Sequence, residues 1–299
     1  MSLLSSTQGT PDRVLSLVQV LAAHGGSLPR DELLTWINPA FERGGAPRQT
    51  PKEAANQTWG AASSLGLAVA QDGHYALTEP AADWSRRAMA DAVHDRLRAL
   101  DDSDPDAVVL QVFTYIVVRS QHARGVGWLR TLTGKQLADA VDAHLTARDD
   151  TATDGRRFND TKLAPLWRWT AFLGLSVDLP GEGDYPYVTE RLSRELAREG
   201  LPIGQELPAA TVLATIAKRM PYLDGGTLFE AMSERMGVGR NPRTLSPVLS
   251  HALRDLDEEG RIELGTRGDA TGLVSLASDH FSRISSLQFV TLRPGLSDA

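Results

Sequence analysis

Two stretches of the chain carry one pattern: "LGLAVAQDGHYALTEP" at 65–80 and "LGLSVDLPGEGDYPYVTER" at 173–191. In the first, 67–70 and 74–78 are strand-like runs around "QDG", a hairpin turn signal. In the second, 175–178 and 185–189 are joined by the Gly- and Pro-rich "LPGEG". A helix is predicted upstream of each. "TPKEAANQTWGAASSLG" offers Thr50 as cap, Pro51 at the first helical position and Glu53 for a capping box, with Gly66 as terminator. Leu163, Leu166, Trp167, Thr170, Ala171 and Leu173 share one helical face, and Pro165 predicts a late start or a kink. Trp59 and Trp167 stand equally far before their "LGL". Self-similarity of this kind limits the fold more than composition does, because each copy has to bury its apolar stripe in the same way.

A third copy follows in pattern. Leu245, Val248, Leu249, Ala252, Leu253 and Leu256 form a helical stripe that "DEEG" stops, and "RIELG" with "TGLVSLA" is predicted to make a hairpin around "TRGDA". Each hairpin is followed by a segment read as a trailing helix: "ADWSRRAMADAVHDRLRAL", "TERLSRELAREG" and "SDHFSRISSLQF". Each copy also opens on two helical segments, so the order is helix, helix, helix, hairpin, trailing helix. That order resembles the winged helix-turn-helix family, whose third helix enters a DNA groove and whose hairpin is the wing. The expected fold is mainly α with small β-hairpins, as three tandem winged-helix units at 1–100, 101–200 and 201–299, the last with a C-terminal helix or tail.

The chain of 299 residues contains no Cys, which removes disulfides, zinc ribbons and thiol nucleophiles. The most apolar window, "AVVLQVFTYIVV" at 107–118, is too short to span a bilayer, and the start lacks a signal-peptide pattern, so a soluble cytoplasmic protein without membrane contact is expected. The seven His residues (24, 74, 94, 122, 144, 251 and 280) form neither an HxH pair nor an HExxH, and no GxxxxGK[ST], GxSxG or GxGxxG occurs. No enzyme, no cofactor and no metal site is expected. "RGD" at 267–269 reads as the tip of the third wing, and Trp128 lies in a loop between Arg124 and Arg130, where it can stack on a base.

Basic residues precede each third helix: Arg48 and Lys52, then Arg156, Arg157 and Lys162, then Arg240 and Arg243. A helix N-terminus presents unpaired N–H groups and a positive dipole end, so each start is a candidate phosphate-binding point. Asn56 and Thr244 are candidates for phosphates or base edges, and Arg267 for a backbone or minor-groove contact. These ten residues are the expected DNA-binding set. The net charge is −7, and the three units carry −1, −4 and −2, so any DNA contact must use a local face. That acidity also supports an alternative, a winged-helix scaffold that binds proteins.

The first line, "MSLLSSTQGTPDRVLSLVQVLAAHGG", with a Gly-Thr-Pro break before its helix, resembles the N-terminus of the DpdG proteins. Those belong to bacterial systems that install 7-deazaguanine derivatives in DNA and restrict foreign DNA. The resemblance implies an accessory component of a modification and anti-phage defence system, acting beside ATPase, helicase-like and nuclease partners. Together with the winged-helix pattern it leads to the expectation of a non-enzymatic protein that binds double-stranded DNA, as a regulator or as the DNA-engaging subunit of such a complex.

Overall fold

A computed structural model describes residues 2–38, 42–43, 46–47, 52–79, 83–146, 155–239, 244–267, 272–279 and 282–296. Its elements run α1 (Pro11–Ala23), β1 (Ser27–Pro29), α2 (Arg30–Ile37), β2 (Glu42–Arg43), β3 (Ala46–Pro47), α3 (Lys52–Ser64), β4 (Ala68–Gln71), β5 (His74–Leu77) and α4 (Arg86–Arg98). Then come α5 (Val108–Ala123), α6 (Gly134–Asp142), α7 (Leu163–Leu173), β6 (Ser176–Leu179), β7 (Gly183–Pro186) and α8 (Thr189–Arg198). The last part holds β8 (Glu206–Pro208), α9 (Ala209–Arg219), α10 (Thr227–Arg235), α11 (Pro247–Glu258), β9 (Ile262–Gly265), β10 (Val274–Ser275), β11 (Ser286–Leu287) and β12 (Phe289–Leu292). The described residues are therefore mainly α with small antiparallel strand pairs. They fall into two compact bodies, Met1–Val109 with Thr161–Leu173, and Leu110–Asp160 with Gly174–Ala299.

In the first body, α1 starts where Thr10 precedes Pro11, a residue whose missing N–H costs nothing at a first helical position. Val14, Leu17, Val18 and Leu21 recur at helical spacing and are buried, packing on α2 and α3. The chain closes α3 with Gly66 at φ +65°, where the Gly66 and Leu67 amides donate back to Ser63 and Ala62 carbonyls. A tight turn at Asp72 and Gly73 then returns β4 on β5. β5 lies between β1 and β4, antiparallel to both, with Tyr75 opposite Leu28 and Ala70. α7 belongs to this body, packing on α4 with Pro165 in its first turn, where proline is tolerated.

The second body repeats the scheme. α11 has Pro247 at its start and buried Val248, Leu249, Ala252, Leu253 and Leu256, and it packs on α8. Gly260, at φ +68°, closes it as Gly66 closes α3, and the Arg261 amide donates to the Leu256 carbonyl. β12 lies between β8 and β9, with Val290 opposite Leu207 and Leu264. Two sheets therefore share one strand order, β1-β5-β4 and β8-β12-β9. In the middle of the chain β6 and β7 form a two-stranded pair. Leu132, at the position before α6 where the other copies hold β1 and β8, is extended but outside any named strand.

Three expectations change. "RIELG" does not pair with "TGLVSLA": β9 pairs with β12, and β10 pairs with β11. Val290 and Leu292 of β12 are buried, so that strand supplies the apolar centre of a four-residue register, which the two residues of β10 do not. "SDHFSRISSLQF" is not a helix in its described part, where β11 and irregular backbone run instead and Leu287 is buried. "TERLSRELAREG" leads the last copy rather than trailing the middle one, since α8 packs on α9 and α11. Of the two compact bodies, α7 belongs to the first and the β6–β7 hairpin to the second.

Candidate nucleic-acid interface

Helix α3 buries one side and leaves the other open. Ala55, Thr58, Ala61 and Ala62 are buried, and Thr58 receives a hydrogen bond from Arg13 Nε at 3.1 Å. Glu53, Asn56 and Ser63 are exposed. Trp59 lies flat on Tyr75 of the central strand, with centroids 3.5 Å apart and planes 14° off parallel, which ties the helix to the hairpin. Between them is an open depression of about 410 Å³ lined by Arg30, Asn56, Trp59 and residues 70–75. Arg30 is exposed at the start of α2, and its amide donates to the Gly73 carbonyl at 3.2 Å, fixing the hairpin tip beside the helix. His74 is exposed on the hairpin, with Nδ1 3.2 Å from the Asp72 carbonyl. A convex helix with an amide side chain, a cation and a neighbouring hairpin has the chemistry to meet a phosphate backbone and base edges.

The last copy presents the corresponding helix differently. Ser246 caps α11 by accepting from the Leu249 amide, and the Asp224 carboxylate accepts from both the amide and the hydroxyl of Ser246, each at 2.6 Å. Burial raises the Asp224 pKa, against the lowering effect of those two bonds. A carboxylate thus already occupies the start of this helix. The Leu245 amide donates to the Ser275 carbonyl at 2.9 Å, and the Ala277 amide to Ser250 Oγ at 2.9 Å. Arg254 Nη2 donates to the Ala277 carbonyl at 2.7 Å and the Ile284 carbonyl at 2.9 Å, while its Nε donates to Ile284 at 3.1 Å.

The expected DNA-binding residues are scattered among these environments. Arg48, Arg240 and Arg243 lie outside the described residues, and Lys52 opens α3 with only its backbone described. Asn56 sits on the open face of α3. Arg156 is paired with Asp139 and approaches Asp142 at 3.5 Å. Arg157 is 6% exposed, and its Nη1 donates to Gln111 Oε1 and the Thr146 carbonyl, both at 3.4 Å. Lys162 is half-buried at the end of a 3-10 turn. Thr244 bridges to Ser275, and its carbonyl accepts from Gln121 Nε2 at 3.1 Å. Arg267 is exposed but paired with Glu206, over the Phe289 ring at 5.7 Å. Trp128 donates its indole N–H to Ser120 Oγ at 3.1 Å, and the Arg119 guanidinium covers its ring at 4.5 Å.

Arg30 was not among the expected residues, since its role depends on a strand, β1, that three residues of "SLP" announce weakly. The recurrence of "SLP" and "ELP" before α2 and α9 is the signal that could have found it. No curated protein and no solved structure matches the chain. A protein-family model described as DpdG-like matches it over residues 1–270.

Proposed function

The chain belongs to the DpdG-like family, and from that premise we propose that it binds duplex DNA as the non-enzymatic, DNA-engaging subunit of its system. The family implies an accessory role in a DNA-modification system. No helix among the described residues is long and apolar enough to cross a membrane. The observation that carries the reading is the open face of α3, with Asn56 exposed beside a hairpin whose tip is held by Arg30. The element order and the strand order β1-β5-β4 support a winged-helix reading, with α3 as the groove helix and β4–β5 as the wing. In this reading the protein works in the cytoplasm with protein partners of a modification and defence complex and needs no cofactor.

Band-shift or anisotropy titrations with duplex DNA across a salt series test it. The expected result is affinity that falls steeply with salt, weakened by Arg30→Glu and by Arg240→Glu with Arg243→Glu. Absence of binding at low salt overturns it. A second reading, a protein-binding scaffold, is favoured by one observation: Arg156 and Arg267 face carboxylates and Arg157 is directed inward, in a chain of net charge −7. Fixed stoichiometry with components of the same modification system, without DNA affinity, would support that reading instead.

A further inference from the structure

We infer that the described residues of the connection between β9 and β12, 272–279 and 282–288, are a fixed cover over the face of α11 that corresponds to the open face of α3, so that of these two helices α3 is the one left to dock a duplex. The docking half of this inference rests on the DNA-binding reading; the cover does not. Counting back from the glycines that close the two helices, Gly66 and Gly260, Asn56 corresponds to Ser250, Gly60 to Arg254 and Glu53 to Pro247. Glu53 and Asn56 are exposed, whereas Pro247, Ser250 and Arg254 are buried. The material lying over α11 comes from the connection of the hairpin itself. In the first copy that connection is Asp72 and Gly73; in the last it is 266–288, which contains β10 and β11.

The cover is joined to the helix at several points. Ser275 bridges to Thr244 and accepts from Leu245, Ala277 donates to Ser250, and the Arg254 guanidinium binds the carbonyls of Ala277 and Ile284. Leu276, Ala277 and Leu287 are themselves buried. A buried guanidinium held by main-chain carbonyls of the cover would lose charge-assisted bonds if the cover lifted, which argues for a permanent seal.

Absence of native Cys makes single-cysteine labelling a clean test. In the full-length chain, maleimide labelling of Ser250→Cys is expected at least about a hundredfold slower than of Asn56→Cys, because a thiol under the cover reacts only through local opening. Duplex DNA is expected to slow labelling of Asn56→Cys and to leave Ser250→Cys at its own rate. Equal rates at the two positions, or faster Ser250→Cys labelling with DNA, overturn the cover. Slow Ser250→Cys labelling with no duplex binding at low salt overturns the docking half and leaves the cover standing. Hydrogen exchange of the unmodified chain tests the cover if Ser250→Cys fails to fold: fast exchange at the Leu245 and Ala277 amides overturns it, and protection supports it.

Discussion

The sheets β1-β5-β4 and β8-β12-β9 keep a matching Leu and Pro in the first strand and a matching Leu in the central one, differ in their other side chains, and share one register. His74 faces Pro29 and Gln71, and Phe289 faces Pro208 and Gly265; Leu77 faces Ala68, and Leu292 faces Ile262. The matching extends to the bonds outside the ladders, since Thr78 donates to the Leu67 carbonyl as Arg293 does to that of Arg261, and Arg30 to Gly73 as Ala209 does to Gln288. What differs is the length of chain between the last two strands. A two-residue turn leaves α3 half open, and the described residues of a long connection lie over α11. One strand order and register can therefore go with an open or a covered third helix, according to one loop.

The largest expected effect breaks that difference at its strongest point. Arg254→Ala removes every donor to the Ile284 carbonyl contributed by its guanidinium and should destabilise the second body by about 3 kcal/mol in denaturant unfolding, as expected for a buried charged donor lost to unpaired acceptors. Its first-copy counterpart, Gly60, makes no such side-chain bond. A smaller contrast compares equivalent helix positions. Ser250→Ala should cost about 1–2 kcal/mol by orphaning the Ala277 amide, whereas Asn56→Ala should stay within about 0.5 kcal/mol. Equal costs at these two sites would mean that α11 is no more covered than α3.

Two further measurements sharpen the likeness rather than the difference. Gly66→Ala and Gly260→Ala should each cost about 1 kcal/mol, because both glycines hold a positive φ that a Cβ strains; thermal unfolding of the two variants compares them directly. The smallest effect concerns pH. Burial lowers the pKa of His251 on α11, although Asp279 opposes that shift. A lowered folded pKa gives stability that is present above the ordinary His value and is lost as pH falls through the folded one. Acidification from neutrality should thus weaken hydrogen-exchange protection in α11. Asp224, whose folded pKa is raised, contributes in the opposite sense, with stability present in acid and lost as pH rises. His251→Gln against the unmodified chain isolates the His contribution and should flatten the acid-side loss.

Much of the architecture can be read from short-range pattern. The stripe Leu245, Val248, Leu249, Ala252, Leu253 and Leu256 gives α11, and "QDG" gives the first hairpin, because helix period and turn chemistry act over a few residues. Pairing over longer separations was less legible. "RIELG" has two apolar runs downstream, and only burial of Val290 and Leu292 beside β8 selects "FVTL" over "TGLVSLA". Loop charges were ambiguous for a related reason: Arg157 and Arg267 look alike as loop cations, but one is buried against Gln111 and the other stands exposed beside Glu206.

Sequence alone determined that the chain is helical, that a helix-hairpin unit recurs, and where glycine must close each third helix. Tertiary structure decided which strand completes each sheet, which helix leads each copy, and which of α3 and α11 keeps a solvent-facing side. The reason is physical: periodicity and backbone preference are properties of neighbouring residues, whereas exposure depends on what distant parts of the chain lay across them.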